Sequence, residues 1–212
     1  MSNNQRIRTK NMSLTISCPI GVSPPKEDTV ALAKLSSSAK GKSFVDIGTG
    51  SGYVGIYAAK KGKGVIATDV NLLAIKTAKK NSKANKVEID FVVSDLFDAL
   101  EGEFDIIAFN PPLSPSTSNF FTSLIRKIAL ARVILGFIGF YGGKEDRLNL
   151  IRKFIDQSRR HLKSNGSIFL VAKDKKEIER FCKDFDLDFS FTKYDNISIA
   201  NLKLAKFTAR NV

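Results

Sequence analysis

Two short stretches of this 212-residue chain carry residues whose types and spacing could do chemistry. Residues 44–52 read FVDIGTGSG, an apolar run that ends in glycines at 48, 50 and 52. Glycines at a strand-to-helix turn let the backbone bend sharply and let a ligand approach closer than a Cβ would allow. Such turns serve many nucleotides, and some serve none. Residues 110–113 read Asn110-Pro111-Pro112-Leu113 directly after the apolar run FDIIAF. Consecutive prolines hold the backbone extended and cannot donate hydrogen bonds. Carbonyl oxygens therefore stand beside the amide oxygen of Asn110, an acceptor-only cradle for an NH2 group. A planar amide or aromatic amine is a poor nucleophile because its lone pair is delocalised. Acceptors on both N–H bonds, with fixed orientation, help that lone pair toward an electrophile.

Three acids fall near the ends of successive strand-like runs, where open α/β sheets bind ligands. Asp46 precedes the glycines. Asp69 closes the run VIATD about 20 residues beyond them, the spacing at which an acid grips ribose hydroxyls. Asp95 follows the third run, placed to accept from an adenine amino group. Any one of these could be a helix cap or a solvated strand end. Together with the glycine turn they point to an adenosine-type cofactor.

The surrounding pattern supplies the elements that would hold these residues. Strand-like runs at 44–47, 65–68, 89–93 and 104–109 alternate with helix-like runs at 53–61 and 72–84. That rhythm predicts a parallel sheet with helices on both faces. Before it come a polar, basic arm over residues 1–12, read as flexible, a short strand at 13–17 and a helix over 27–35. After it, residues 120–139 are apolar-rich, read as a helix or a lid over the site. Gly142-Gly143 breaks the chain, and a long amphipathic helix spans 144–162. Asn165-Gly166 predicts a turn into a buried strand at 168–172. A helix at 175–184 precedes strands at 188–193 and 197–207, joined at Asp195-Asn196. A single domain over 13–212 is expected.

Bulk properties narrow the class without choosing a partner. The chain is 43% hydrophobic and 26% charged, ordinary for a soluble globular protein. It shows neither an apolar run long enough to span a bilayer nor a signal-peptide core, and its two cysteines, Cys18 and Cys182, are far apart. A reduced, cytoplasmic setting fits them, and no metal-ligand spacing is present. The net charge of +13 would attract RNA or an acidic protein, but scattered lysines fit a merely solvated surface equally well. The single histidine, His161, reads as a surface residue at a helix end.

The combination of VDIGTGSG, ATDVN, SDL and NPPL resembles the amino-methyltransferases that use S-adenosyl-L-methionine. Pro25-Lys26-Glu27-Asp28-Thr29 is similar to the P-x-E-D-T signature of the eukaryotic and archaeal HemK-type enzymes. Gly142-Gly143 and the stretch 161–171 resemble the C-terminal half of the same family. The resemblance covers roughly residue 13 to the end. It implies a class I methyltransferase fold: a Rossmann-like, seven-stranded, mostly parallel sheet ending in an antiparallel hairpin. It implies methylation of the glutamine in the Gly-Gly-Gln loop of a class I translation termination factor, often with a small zinc-binding activator subunit.

Residue by residue, the resemblance places Thr29 at the methionine part of the cofactor. Asp46 and Gly48 lie along its amino acid end, Asp69 at the ribose, and Asp95 with Leu96 at the adenine, and Gly50 is also expected at the cofactor. Asn110 also borders the cofactor and, with Pro111 and Pro112, holds the target amide. Where the family mostly has Tyr, this chain has Leu113, which offers apolar contact to the substrate instead of stacking. An N6-adenine or other nucleic-acid amine methyltransferase, and a cofactor-binding subunit with little turnover, are the alternative readings. A strand at 88–93 is expected at the sheet edge, open to the activator, while the basic surface offers a contact to RNA or ribosomes. No membrane association is expected.

Overall fold

The computed structural model describes residues 3–9, 12–112, 144–172, 175–194 and 197–204. Leu113, the apolar stretch 120–139, Gly142-Gly143 and the Asp195-Asn196 junction lie outside these residues.

The chain opens with strands β1 (Asn3–Thr9) and β2 (Met12–Cys18), followed by helix α1 (Glu27–Ser37). The alternating region contributes β3 (Ser43–Ile47), α2 (Tyr53–Lys60), β4 (Gly64–Asp69), α3 (Leu72–Ala84), β5 (Asp90–Val93) and β6 (Phe104–Phe109). The C-terminal part contributes α4 (Lys144–Arg160), β7 (Leu162–Ala172), α5 (Lys175–Asp184), β8 (Leu187–Tyr194) and β9 (Ile197–Leu204).

Seven strands form one sheet in the order β5-β4-β3-β6-β7-β9-β8. β5 to β7 run parallel, and β9 is antiparallel to both β7 and β8. This is the class I methyltransferase fold. From β3 the chain steps outward to β4 and β5, then returns to place β6 on the other side of β3. That reversal opens a crevice at the carboxyl ends of β3 and β6, where doubly wound sheets bind ligands.

The side chains of β3 alternate between two cores, as the pleat requires. Val45 and Ile47 join Phe109, Phe154, Leu170 and Phe181 on the α4–α5 face. Phe44 joins Leu32, Tyr53, Ile56 and Ile106 on the α1–α2 face. On the first face Phe154 lies 4.5 Å from Phe109 and 6.0 Å from Phe97, ring centre to ring centre. Burying one such ring contributes roughly 1.5–3 kcal/mol, so the strand that carries Asn110 is firmly seated. His161 follows α4 directly; its ring stacks on Phe97 at 4.8 Å and its Nδ1 lies 2.8 Å from the Gly102 carbonyl oxygen.

Two expectations change. Residues 3–9, read as part of a flexible arm, form β1, paired antiparallel with β2 from Asn3↔Cys18 to Thr9↔Met12. Strand pairing satisfies backbone groups, so a polar composition does not prevent it. The Asn165-Gly166 turn lies within β7, not ahead of it. Phe104 pairs with Leu162 but Ile106 with Ser167, so the turn residues bulge out of the ladder. Among the described residues no helix is long and apolar enough to cross a membrane.

β2 is held on its outer side by a helix acting as a strand. Asn85 Oδ1 accepts from Thr15 N–H at 3.0 Å, and its Nδ2 donates to Thr15 O at 2.8 Å. Asn81 does the same with Ser17, at 3.0 Å in each direction. Residues two apart on a strand advance about 6.6 Å, and residues four apart on a helix about 6 Å, so the two ladders match.

Candidate functional site

The glycine turn after β3 is pinned from both ends. Thr49 N–H donates to Thr68 O of β4 at 2.8 Å, and Gly52 O accepts from Ile56 N–H at 2.8 Å to start α2. Gly52 has φ +84°, and a Cβ there would stand 2.9 Å from Ala78 Cβ, so α3 can pack against the turn only because the side chain is absent. At Gly50, with φ +53°, a Cβ would meet only Gly48 O at 4.0 Å. Space is open there for a ligand to lie against the backbone. Ser51 O accepts from Asn81 Nδ2 at 2.8 Å, so the residue that secures β2 also secures the turn.

Asp46 sits behind this turn and is buried. Its Oδ2 accepts from Thr49 Oγ1 at 2.6 Å and from Gly55 N–H at 3.0 Å. Burial pushes its carboxyl up to about 7, against the two donors, which pull it down; the nearby Asp69 charge adds to the rise. Expected at the amino acid end of a cofactor, Asp46 here braces the backbone that would form that end.

Asp69 closes β4. Its Oδ2 accepts from Gly50 N–H at 2.9 Å and its Oδ1 from Asn71 N–H at 2.9 Å. Burial raises its carboxyl, while these two donors oppose the rise. Two carboxylate oxygens offer about four acceptor positions, so two remain for a ligand's hydroxyls. Asn71 caps α3 through Leu73 N–H at 2.9 Å and reaches back to Gly21 O at 3.4 Å.

Asp95 follows β5, as expected, but its carboxylate is engaged. Lys153 of α4 donates to its Oδ2 at 2.8 Å and lies 3.6 Å from Asp98. Leu96 beside it has φ +50° and a side chain buried in the core. A left-handed residue with a Cβ costs about 1–2 kcal/mol, which core packing of that side chain offsets.

Asn110 extends directly from β6, beside the glycine turn: Ile47 pairs with Phe109, and a Cβ at Gly48 would lie 3.3 Å from the Phe109 ring. Its Nδ2 donates to Thr29 Oγ1 at 3.0 Å. Its Oδ1 is buried and has no hydrogen-bond partner among the described residues. A buried acceptor left alone costs about 1–3 kcal/mol, so this atom is poised for a donor. Pro111 is buried and Pro112 half-buried behind it. The structure therefore brings Thr29, the glycine turn, Asp69, Asn110 and the prolines to one crevice. Asp95 and Leu96 stand two strands away from β3, beyond Asp69.

Sequence reading missed Asn81, Asn85 and Lys153. Two asparagines four apart on a helix that is otherwise a good pattern could have signalled a side-chain ladder, but nothing local names their partners. Among the described residues no group of His, Cys, Asp and Glu could hold a metal ion. The open space at Gly50 and the spare acceptors of Asp69 fit an adenosine-type cofactor.

Residues 28–137 match the methyltransferase small domain family. A Methanocaldococcus jannaschii protein, provisionally named a protein N5-glutamine methyltransferase, is 38% identical over 148 residues, covering 69% of this chain and 70% of its own length. The release factor glutamine methyltransferase of Flavobacterium psychrophilum is 32% identical, covering 63% of this chain and 46% of its own. The chain spans about half the length of the bacterial release factor enzymes it matches. Among solved structures, a Thermus thermophilus 16S rRNA N2 G1207 methyltransferase in complex with AdoMet and guanosine superposes with a TM-score of 0.68. It is 18% identical, and the match covers 96% of this chain and 50% of that one.

Proposed function

Because the chain belongs to the methyltransferase small domain family, we propose that it transfers a methyl group from S-adenosyl-L-methionine to a planar amide nitrogen, the glutamine of the Gly-Gly-Gln loop of a class I termination factor. The Oδ1 of Asn110, buried and without a partner among the described residues, carries this reading. When bound, the cofactor supplies a methyl group made electrophilic by its sulfonium. The glycine turn receives its amino acid end, with Gly50 leaving room, and Asp69 holds the ribose hydroxyls. Asp95, with the backbone of Leu96, faces the adenine side, and Thr29 lies toward the methionine part.

Asn110 Oδ1 takes one N–H of the target amide, and the carbonyl oxygens of the proline pair take the other. Holding both N–H bonds in acceptors turns the nitrogen lone pair toward the methyl group and stabilises the charge that grows on nitrogen. A proton on the methylated nitrogen, then cationic and strongly acidic, would pass to water, so no basic side chain is needed beside it. Leu113, next in the chain, supplies apolar contact to the substrate. A small zinc-binding activator at the β5 edge completes the partners of this reading.

A second reading, a nucleic-acid amine methyltransferase, draws on the net charge of +13 and on the exposed lysines 76, 79, 80 and 83 along α3. The same acceptor pair fits an exocyclic amine. Labelled cofactor incubated with purified termination factor, with ribosomal RNA and with tRNA separates the two. Label on the Gly-Gly-Gln peptide is expected; label on RNA alone replaces the first reading with the second, and label on none leaves a cofactor-binding subunit.

A further inference from the structure

We infer that Asp28 is a positioning residue that fixes which end of the Asn110 amide faces the substrate, acting through the hydroxyl of Thr29; the consequence for catalysis rests on the amide-methyl-transfer reading above.

Three groups surround Thr29 Oγ1. Asp28 Oδ1 lies at 3.1 Å, Asn110 Nδ2 at 3.0 Å and Lys26 N at 3.4 Å. A hydroxyl has one proton to give and two lone pairs to fill. The carboxylate of Asp28 can only accept, so it takes the proton. The backbone N–H of Lys26 can only donate, so it fills one lone pair. One lone pair is left, and Asn110 can meet it only with its NH2. If the amide were turned over, Thr29 would have one proton for two acceptors. The Oδ1 of Asn110, buried and without a partner among the described residues, is therefore the end of the amide left for the substrate, because Asp28 has already taken the hydroxyl proton.

Asp28 is itself held for this task. Its Oδ1 also accepts from Thr29 N–H at 2.6 Å, so the carboxylate is clamped to the residue it polarises. Both residues sit in the first turn of α1, which packs on β6 and β7 through a buried face that includes Ala31 and Leu32. The relay thus runs from a fixed helix end to the end of β6, across a sequence separation of 81 residues. Without Asp28 the hydroxyl can rotate and donate to Asn110 Oδ1. The amide then turns its NH2 to the crevice, and a donor meets the substrate's own N–H where an acceptor is required.

The test is a double-mutant cycle at saturating cofactor, on the full chain with whichever activator it needs. Asp28→Ala is expected to lower kcat on the termination factor at least tenfold, with cofactor affinity changed less than threefold. Asp28→Asn keeps a carbonyl acceptor for the Thr29 proton and is expected to recover most of that loss. In Thr29→Val, where the relay is already cut, removing Asp28 is expected to add less than a further twofold. A second readout does not depend on turnover. In the free protein the Asn110 side-chain NH2 should show an NMR cross-peak to the Thr29 side chain, which weakens in Asp28→Ala and returns in Asp28→Asn. An unchanged cross-peak in Asp28→Ala, or fully additive losses in the cycle, overturns the inference. If the wild-type chain methylates no termination factor while the cross-peak behaves as expected, the functional reading fails and the positioning role stands.

Discussion

The backbone N–H of Gly50 donates to Asp69 Oδ2 at 2.9 Å, so the turn after β3 and the acid at the end of β4 are one unit. The glycine turn would otherwise be a loose loop between a strand and a helix. Tied to a neighbouring strand end, it keeps its open face toward the crevice, and the same carboxylate retains acceptor positions for a ligand.

Removing that carboxylate should therefore act on cofactor binding first. Asp69→Ala is expected to weaken S-adenosylmethionine binding at least tenfold, about 1.4 kcal/mol, as befits charge-assisted hydrogen bonds. Titration calorimetry checks this. Unchanged affinity would remove Asp69 from the site.

Asn110 should separate binding from turnover. In Asn110→Ala the cofactor dissociation constant is expected to stay within a few fold while methyl transfer falls below detection, because the lost acceptor serves only the substrate's N–H. Near-normal turnover would reduce the Asn-Pro-Pro segment to a structural role.

Strands β3, β4 and β6 and helices α2, α3 and α5 were legible in the sequence nearly to the residue, because period and turn chemistry are local signals. The crevice was legible for the same reason: its acids and glycines end strands. The roles inside it were not. Asp46 reads as a ligand contact from its position ahead of the glycines, but nothing in the sequence tells that its oxygen faces Thr49 and Gly55. Asp95 reads as a free acceptor, yet its partner Lys153 lies 58 residues away on another helix. Asn81 and Asn85 serve partners 64 and 70 residues distant. Contacts of that range are set by how elements pack, not by neighbouring residues.

The raised carboxyl of Asp46 gives a pH signature. Its folded value, about 7, lies above the ordinary carboxylate value near 3.8, so between these limits the folded state holds a proton that the unfolded chain has released. Stability from this group is full below about pH 4 and is lost as pH rises toward 7. Asp46→Asn keeps an acceptor for Thr49 and Gly55 and cannot titrate. The variant's melting temperature should gain on the wild type between pH 5 and pH 8. Parallel curves across that range would show that Asp46 does not titrate there.

Asn81 ties β2 to the glycine turn, since its one amide serves Ser17 N–H, Ser17 O and Ser51 O. Asn81→Ala leaves these backbone groups buried without partners. A loss of roughly 2–4 kcal/mol in urea denaturation is expected, at about 1–3 kcal/mol for each unsatisfied group with partial relaxation. Cofactor affinity should fall as well, because Ser51 belongs to the glycine turn. A loss under 1 kcal/mol would mean that water replaces the amide and the ladder is dispensable.

The β5 edge is where an activator subunit is proposed to dock, and the structure indicates which residue tests it. Among the described residues β5 pairs with β4 alone, from Ile66↔Asp90 to Asp69↔Val93, and stands at the end of the sheet. A free edge with few charges recruits other strands unless it is blunted or covered. Val87 and Ile89, just ahead of it, pack against the α1–α2 core and are half-buried. A charge at Ile89 would therefore disturb the fold together with any interface. Val93, 50% exposed, is the better probe. Surface substitutions of this kind usually change stability by no more than about 0.5 kcal/mol. Val93→Lys is expected to leave the melting temperature of the isolated chain nearly unchanged while weakening activator binding at least tenfold, through the cost of burying an unpaired ammonium against an added strand. Co-purification and calorimetry with a small zinc-binding activator from the same cell would measure it. If binding survives in a variant that melts like the wild type, β5 is not the docking edge.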